Sequence, residues 1–194
     1  MSTITRESLM TLEAYAKARP QFRKKAIAHK ALRKVFIGEH VVLQFEDELT
    51  IRYQIQEMLR IEKTFDEQGI LDELEAYNPL VPDACNWKAT QTIEYADVEE
   101  RRLKLMELKG IETRTYVQVD GFDPVYAIAD EDLPRENHEK TSAVHFLRFE
   151  LGKDMIAAIR DGAAVSAGID HSAYNVRVPE ISPITLASLL QDFA

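Results

Sequence analysis

Two side chains stand where apolar ones are expected. In the alternating run from Ser142 to Leu151, one face collects Ala143, His145, Leu147, Phe149 and Leu151, so His145 is the odd member of an apolar set. A buried imidazole needs a partner for at least one ring nitrogen. A pocket would supply a ligand or metal; a core would supply backbone or a carboxylate. In the helical stretch Glu48 to Thr64, a stripe spaced by three and four residues joins Ile51, Ile55, Met58, Glu62 and, just beyond, Phe65. Glu62 interrupts that stripe with a carboxylate. Unpaired burial would cost several kcal/mol, so Glu62 calls for a partner or a ligand unless it reaches solvent from its place near the helix end.

Arg52, Gln56, Arg60 and Lys63 line the far side of the same helix. Such a row is either a solvated face or an anion site, since guanidinium groups fork onto carboxylate or phosphate. Arg148, on the polar face of the His145 strand, is a further ligand-binding candidate. Asn78 opens the stiff run Asn78-Pro79-Leu80-Val81-Pro82-Asp83, which either covers a pocket or forms a structural turn. Asp170-His171 follows a strand end, but neighbours on a strand point to opposite faces.

The motifs that are missing exclude more than these candidates assert. There is no Gly-x-x-x-x-Gly-Lys-[Ser/Thr], no Gly-x-Gly-x-x-Gly, no His-Glu-x-x-His and no Gly-x-Ser-x-Gly. None of the five histidines follows a glutamate by three residues, so the di-iron carboxylate motif is absent. Cys85 is the single cysteine, which removes intrachain disulfides, thiolate cages and Cys-x-x-Cys redox chemistry. The residues specify neither a cofactor nor a metal.

The elements that must position the candidates read as α+β, a largely antiparallel sheet with hairpins and several packed helices. Helices are expected from Thr5 to Ala18 and from Gln21 to Lys34, separated at Pro20. Further helices are expected at 48–64, 66–77, 97–110 and 153–161, and a terminal one after Ser182-Pro183. Hairpins are expected for 35–37 with 41–45 and for 113–119 with 125–129. Strands at 88–95, 142–151 and 165–169, with another at 176–178, complete the set. With 194 residues, 45% hydrophobic and 29% charged, the chain reads as one globular domain, 1–194, with a helical basic segment over 1–34. No run approaches the roughly 18 apolar residues that cross a bilayer, and no apolar leader begins the chain, so a cytoplasmic protein is expected.

Net charge is −9, but between Tyr15 and Gly38 there are eight basic residues and no acidic one, leaving 16 basic against 33 acidic for the rest. The segment either meets an acidic partner or nucleic acid, or packs against the acidic remainder. The acidic remainder would repel phosphate, and no aromatic-interleaved RNA motif is present, which disfavours nucleic acid. A homodimer is the ordinary expectation for an oligomer.

Three blocks are similar to an uncharacterised bacterial family, a domain of unknown function. They are 52–62 (RYQIQEMLRIE), 75–82 (EAYNPLVP) and 140–151 (KTSAVHFLRFEL), and the resemblance spans about Thr5 to Tyr174. The resemblance carries no assigned active-site residues. It implies genes beside those for rubrerythrin and an iron–sulfur, flavin-linked oxidoreductase, and hence a place beside an electron-transfer system that handles peroxide or oxygen. With one cysteine and no di-iron motif, the chain is neither the rubrerythrin nor the cluster carrier. Three functions follow as expectations. The first is a non-catalytic accessory or interaction protein of a redox system, with an acidic redox protein as partner. The second is a small-molecule or metal-dependent enzyme with a pocket at His145 and Glu62. The third is nucleic-acid binding through Lys17 to Lys34.

Overall fold

The computed structural model describes residues 3–193, and within them the fold is α+β, with six α-helices and two antiparallel sheets. Helix α1 (Leu12–Leu32) leads into the hairpin β1 (Lys34–Ile37) and β2 (Val41–Glu46), then α2 (Glu48–Glu62) and α3 (Glu67–Tyr77). Strand β3 (Asn86–Ile93), α4 (Val98–Glu107), β4 (Thr115–Val119), β5 (Val125–Tyr126) and β6 (Ile128–Ala129) follow. The chain closes with β7 (Val144–Glu150), α5 (Lys153–Arg160), β8 (Val165–His171), β9 (Tyr174–Val178) and α6 (Pro183–Leu189).

The first sheet runs β1-β2-β3-β7-β6 and the second β5-β4-β8-β9. Alternation along each strand sends one set of side chains inward. Val35, Ile37, Leu43, Phe45, Trp87, Leu147 and Phe149 of the first sheet share one core with Val117, Val119, Val165, Ala167 and Ile169 of the second. Each such aliphatic or aromatic side chain contributes roughly 1.5–3 kcal/mol by leaving water. The sheets are joined where the chain steps from β5 to β6 through Ala127, whose N–H donates to the Thr115 carbonyl. They meet again where the Tyr174 hydroxyl donates to the Ile37 carbonyl at 2.6 Å. Gly38, with φ of 70°, turns the β1–β2 hairpin there, and a Cβ on it would lie 2.6 Å from that hydroxyl. Only glycine accommodates both conditions.

A second apolar cluster holds α2 and α3 against the N-terminal segment through Ile4, Leu9, Ile51, Ile55, Leu59, Ile70 and Leu74. The inward stripe of α2 is therefore Ile51, Ile55 and Leu59. Glu62 and Phe65 are exposed, Phe65 by 74%, which corrects the stripe expected from spacing. Two further corrections concern the N-terminal region. Thr5 caps only a short 3-10 turn, Arg6–Ser8, while α1 starts at the Thr11 cap and runs through Pro20 without a break. Pro20 and Ala16 are both exposed, so water can satisfy the Ala16 carbonyl that loses its helical donor.

Arg33, one of the eight basic residues between Tyr15 and Gly38, is buried. Its guanidinium donates to the carbonyls of Phe45, Glu46 and Ser188 and to the Asp192 carboxylate at 2.6 Å. It ties α1, β2 and the C-terminus together. Burial holds the Asp192 carboxyl up at about 6, against the pull of Arg33.

Candidate functional site

The outer face of the first sheet is set by register. Phe36, Val42, Thr92 and Val144 form one cross-strand row; Lys34, Gln44, Thr90 and Phe146 the next; Glu46, Lys88 and Arg148 a third. Helices α1 and α2 and the end of α3 stand over the first two rows and enclose a groove of about 660 Å³. That volume is within the roughly 300–1,000 Å³ of ordinary ligand pockets. Its lining is mostly apolar, with Ile27 from α1, Ile51 from α2 and Leu80 from the turn after α3 facing Phe36, Val42, Val144 and Phe146.

The polar groups in the groove are few and placed. Glu46 is the last residue of β2, directly before Asp47, which caps α2 through the Thr50 N–H. This junction places Glu46 in the lining of the groove, with 5% of the residue exposed. Its Oε1 accepts from the Thr90 hydroxyl at 2.8 Å. Its Oε2 is buried and meets no donor among the described residues. A buried carboxylate oxygen without a donor is costly, and a ligand N–H or O–H would relieve it. Tyr77 lines the same groove with its side chain hydrogen-bonded to Gln54, and burial raises its phenol above the ordinary value. Lys30 and Lys34 border the α1–β1 side, and Glu94, which accepts from Thr92, the opposite end.

The residues singled out from the sequence lie elsewhere. His145 is fully buried on the inner face of β7, as alternation predicted, but its ring is saturated. Nδ1 lies 2.6 Å from Asp130; Nε2 lies 2.9 Å from the Thr141 hydroxyl and 3.1 Å from the Ser142 carbonyl. Asp130, itself at φ 51°, also accepts from the Phe146 N–H and pairs with Arg135. This cluster pins the 130–142 connector to the sheet. The pocket expected between His145 and Glu62 does not form. Every partner of His145 comes from residues 112, 130, 141 and 142, whereas Glu62 is exposed at the end of α2 near Glu73 and Tyr77.

The row Arg52, Gln56, Arg60 is spent on the chain itself, which replaces the anion-site expectation. Gln56 is buried and accepts from the Met10 N–H at 2.8 Å; Arg52 pairs with Glu48 and donates to the Ser8 carbonyl; Arg60 pairs with Glu57. Glu57 also accepts from Tyr15 and, on both oxygens, from Arg19. The Arg19 guanidinium beside it holds its carboxyl down at about 2. Asn78 exchanges two hydrogen bonds of 3.0 Å with the backbone of Ile4.

Arg148 forks onto Glu131 at 2.8 Å through two nitrogens and also meets Glu150. It borders a second, polar hollow with Asn78, Asp83 and Lys88. Beside it, Asp83, Cys85 and Glu150 place three potential metal-ligand atoms within 4.8 Å of one another. The Cys85 thiol already donates toward both carboxylates, which pushes it up to about 12, and the Asn86 amide bridges the same pair. A thiol so protected is neither a nucleophile nor a ready ligand at neutral pH.

The groove residues Glu46, Thr90 and Phe146 were not singled out from the sequence. For Glu46 the signal is the alternation of 41–46, with Val41, Leu43 and Phe45 inside and Val42, Gln44 and Glu46 outside; Thr90 and Phe146 stand on the same face of the neighbouring strands. The covering helices, which make that outer face a groove, leave no local signal.

Comparison with known proteins gives a family without an assigned activity. The family described as "Protein of unknown function (DUF3501)" matches residues 3–193. The chain is also similar to a novel protein of unknown function from Burkholderia pseudomallei K96243, known from its crystal structure. The two are 57% identical, with a TM-score of 0.95 over 100% of both chains. No curated protein matches. Among the described residues, no helix is long and apolar enough to cross a membrane.

Proposed function

Because the chain belongs to the DUF3501 family of proteins of unknown function, we propose its role from the groove alone: it binds a small, mainly apolar organic molecule that presents a donor nitrogen to Glu46. The single observation that carries this reading is the buried Oε2 of Glu46, without a donor, in an apolar groove of ligand size. A protonated amine there would gain a charge-assisted hydrogen bond in a half-dry site. Phenethylamine supplies an ammonium and an apolar body of suitable size. Calorimetric titration is expected to give saturable binding, weakened on the order of tenfold or more by Glu46→Gln, as fits a hydrogen bond to a charged group. Absence of binding, or equal binding by the variant, would remove the reading.

A second reading has one observation in its favour. Lys17, Arg23, Lys24 and Lys25 of α1 are exposed and carry no ion pair among the described residues. They suit an accessory protein in the cytoplasm that docks an acidic redox partner, the role implied by the family resemblance. The two readings are compatible, since the charged face of α1 and the groove use different residues.

A further inference from the structure

The ligand of this groove is narrowed by charges that Glu46 does not answer. Lys30, near the end of α1, and Lys34, the first residue of β1, both line the groove beside Glu46. Neither ammonium has a carboxylate partner among the described residues; Lys30 only stands 5.9 Å from the centre of the Tyr53 ring. Lys34 pairs across the strands with Gln44, and Glu46 follows two residues later on the same face. That offset puts the two Cα atoms about 8 Å apart, from the strand rise and spacing. With Glu94 at the opposite end of the groove, the Glu46 end is bordered by one carboxylate and two ammonium groups, at a separation that long side chains can close around a small head group.

Resting on the reading of the groove as a ligand site, we infer that its ligand is a zwitterion, an α-amino acid with an apolar side chain. The ammonium would meet Glu46 Oε2 and the carboxylate would meet Lys30 and Lys34. The side chain would lie on Val42, Phe146 and Leu80. A simple amine leaves the two lysines unanswered, and a simple acid leaves Glu46 buried without a donor. Only a molecule carrying both charges satisfies both ends, and the apolar floor selects against polar side chains.

The test uses the full chain and the twenty common amino acids, each titrated by calorimetry. The tightest of them is then compared with its decarboxylated amine and its deaminated acid. An apolar amino acid is expected to bind on the order of tenfold tighter than either analogue, or more, the amine losing the contacts to Lys30 and Lys34 and the acid the contact to Glu46. Glu46→Gln should weaken the amino acid and the amine but not the acid. The Lys30→Met, Lys34→Met double variant, at solvent-accessible positions that leave folding intact, should weaken the amino acid to the level of its amine. Thr90→Val, which removes the one donor to Glu46, serves as a second, conservative perturbation and should alter affinity without changing the circular dichroism spectrum. If the amine binds as tightly as the amino acid, or the lysine variant leaves their ratio unchanged, the zwitterion is overturned while the groove reading stands. If no amino acid and no amine binds, both are overturned.

Discussion

Two carboxylates on neighbouring elements, Glu57 in α2 and Glu46 at the end of β2, are each largely withdrawn from water and are treated in opposite ways. Glu57 is closed: Tyr15, Arg19 and Arg60 all donate to it, and the Arg19 fork alone occupies both oxygens. Glu46 is open: Thr90 takes one oxygen and nothing takes the other. The closed carboxylate fastens α1 to α2. The open one borders a cavity. His145, buried on the inner face of the same sheet, belongs with Glu57, because both of its nitrogens are engaged. Burial of a polar group therefore separates nothing in this molecule, whereas incomplete pairing beside an apolar space marks the site.

The largest expected effect breaks a closed cluster. Asp130→Ala leaves the buried His145 ring without its carboxylate, while Arg135 keeps Asp132, and should destabilise the fold by about 3 kcal/mol, as for other buried pairs that lose one partner. Urea unfolding measures it; Glu46→Gln in the same assay should stay within about 1 kcal/mol of the parent, since it removes a charge and keeps the Thr90 bond. Equal losses in the two variants would erase the distinction between closed and open.

Glu57 sharpens it with pH. Its folded value of about 2 lies below its unfolded value, so its stabilisation is present above about pH 4.5 and is lost as the pH falls toward 2. Glu57→Gln should cost about 1–2 kcal/mol at neutral pH and flatten the acid limb of the stability curve. A variant with an unchanged acid limb would show that the Arg19 fork contributes nothing to folding.

The smallest stability effect is expected at the exposed cations of α1. Charge reversal at Arg23, Lys24 and Lys25 should move the melting temperature little, because those side chains touch no partner. Binding to an acidic redox protein, measured at low and high salt, should instead fall strongly. Unchanged affinity would remove the docking role.

Much of the frame was legible in the sequence because it rests on local rules. Alternation places His145 inside and Arg148 outside on β7, and the helices expected over 48–64, 66–77 and 97–110 and after Ser182 open at the side-chain caps Asp47, Asp66, Asp97 and Ser182. The α2 face is ambiguous in sequence because Ile51 and Ile55 start two stripes equally well. The choice of Leu59 over Glu62 is made by packing against Leu9 and Ile70, contacts distant in sequence. The helix also ends at Lys63, which turns left-handed at φ 55° and carries Phe65 away from the core. Pro20 misled for a related reason. Its penalty in a helix is real, but a single lost bond at a solvated position is outweighed by α1 packing along α2. The groove was illegible because its floor and its roof come from separate parts of the chain.

The most direct measurement is a crystal structure of the protein soaked or grown with phenethylamine. The ammonium is expected within hydrogen-bond distance of Glu46 Oε2 and the ring against Val42 and Phe146. Density for the amine at the Asp83 and Glu150 carboxylates instead, or a groove that takes up none at saturating amine, would contradict it.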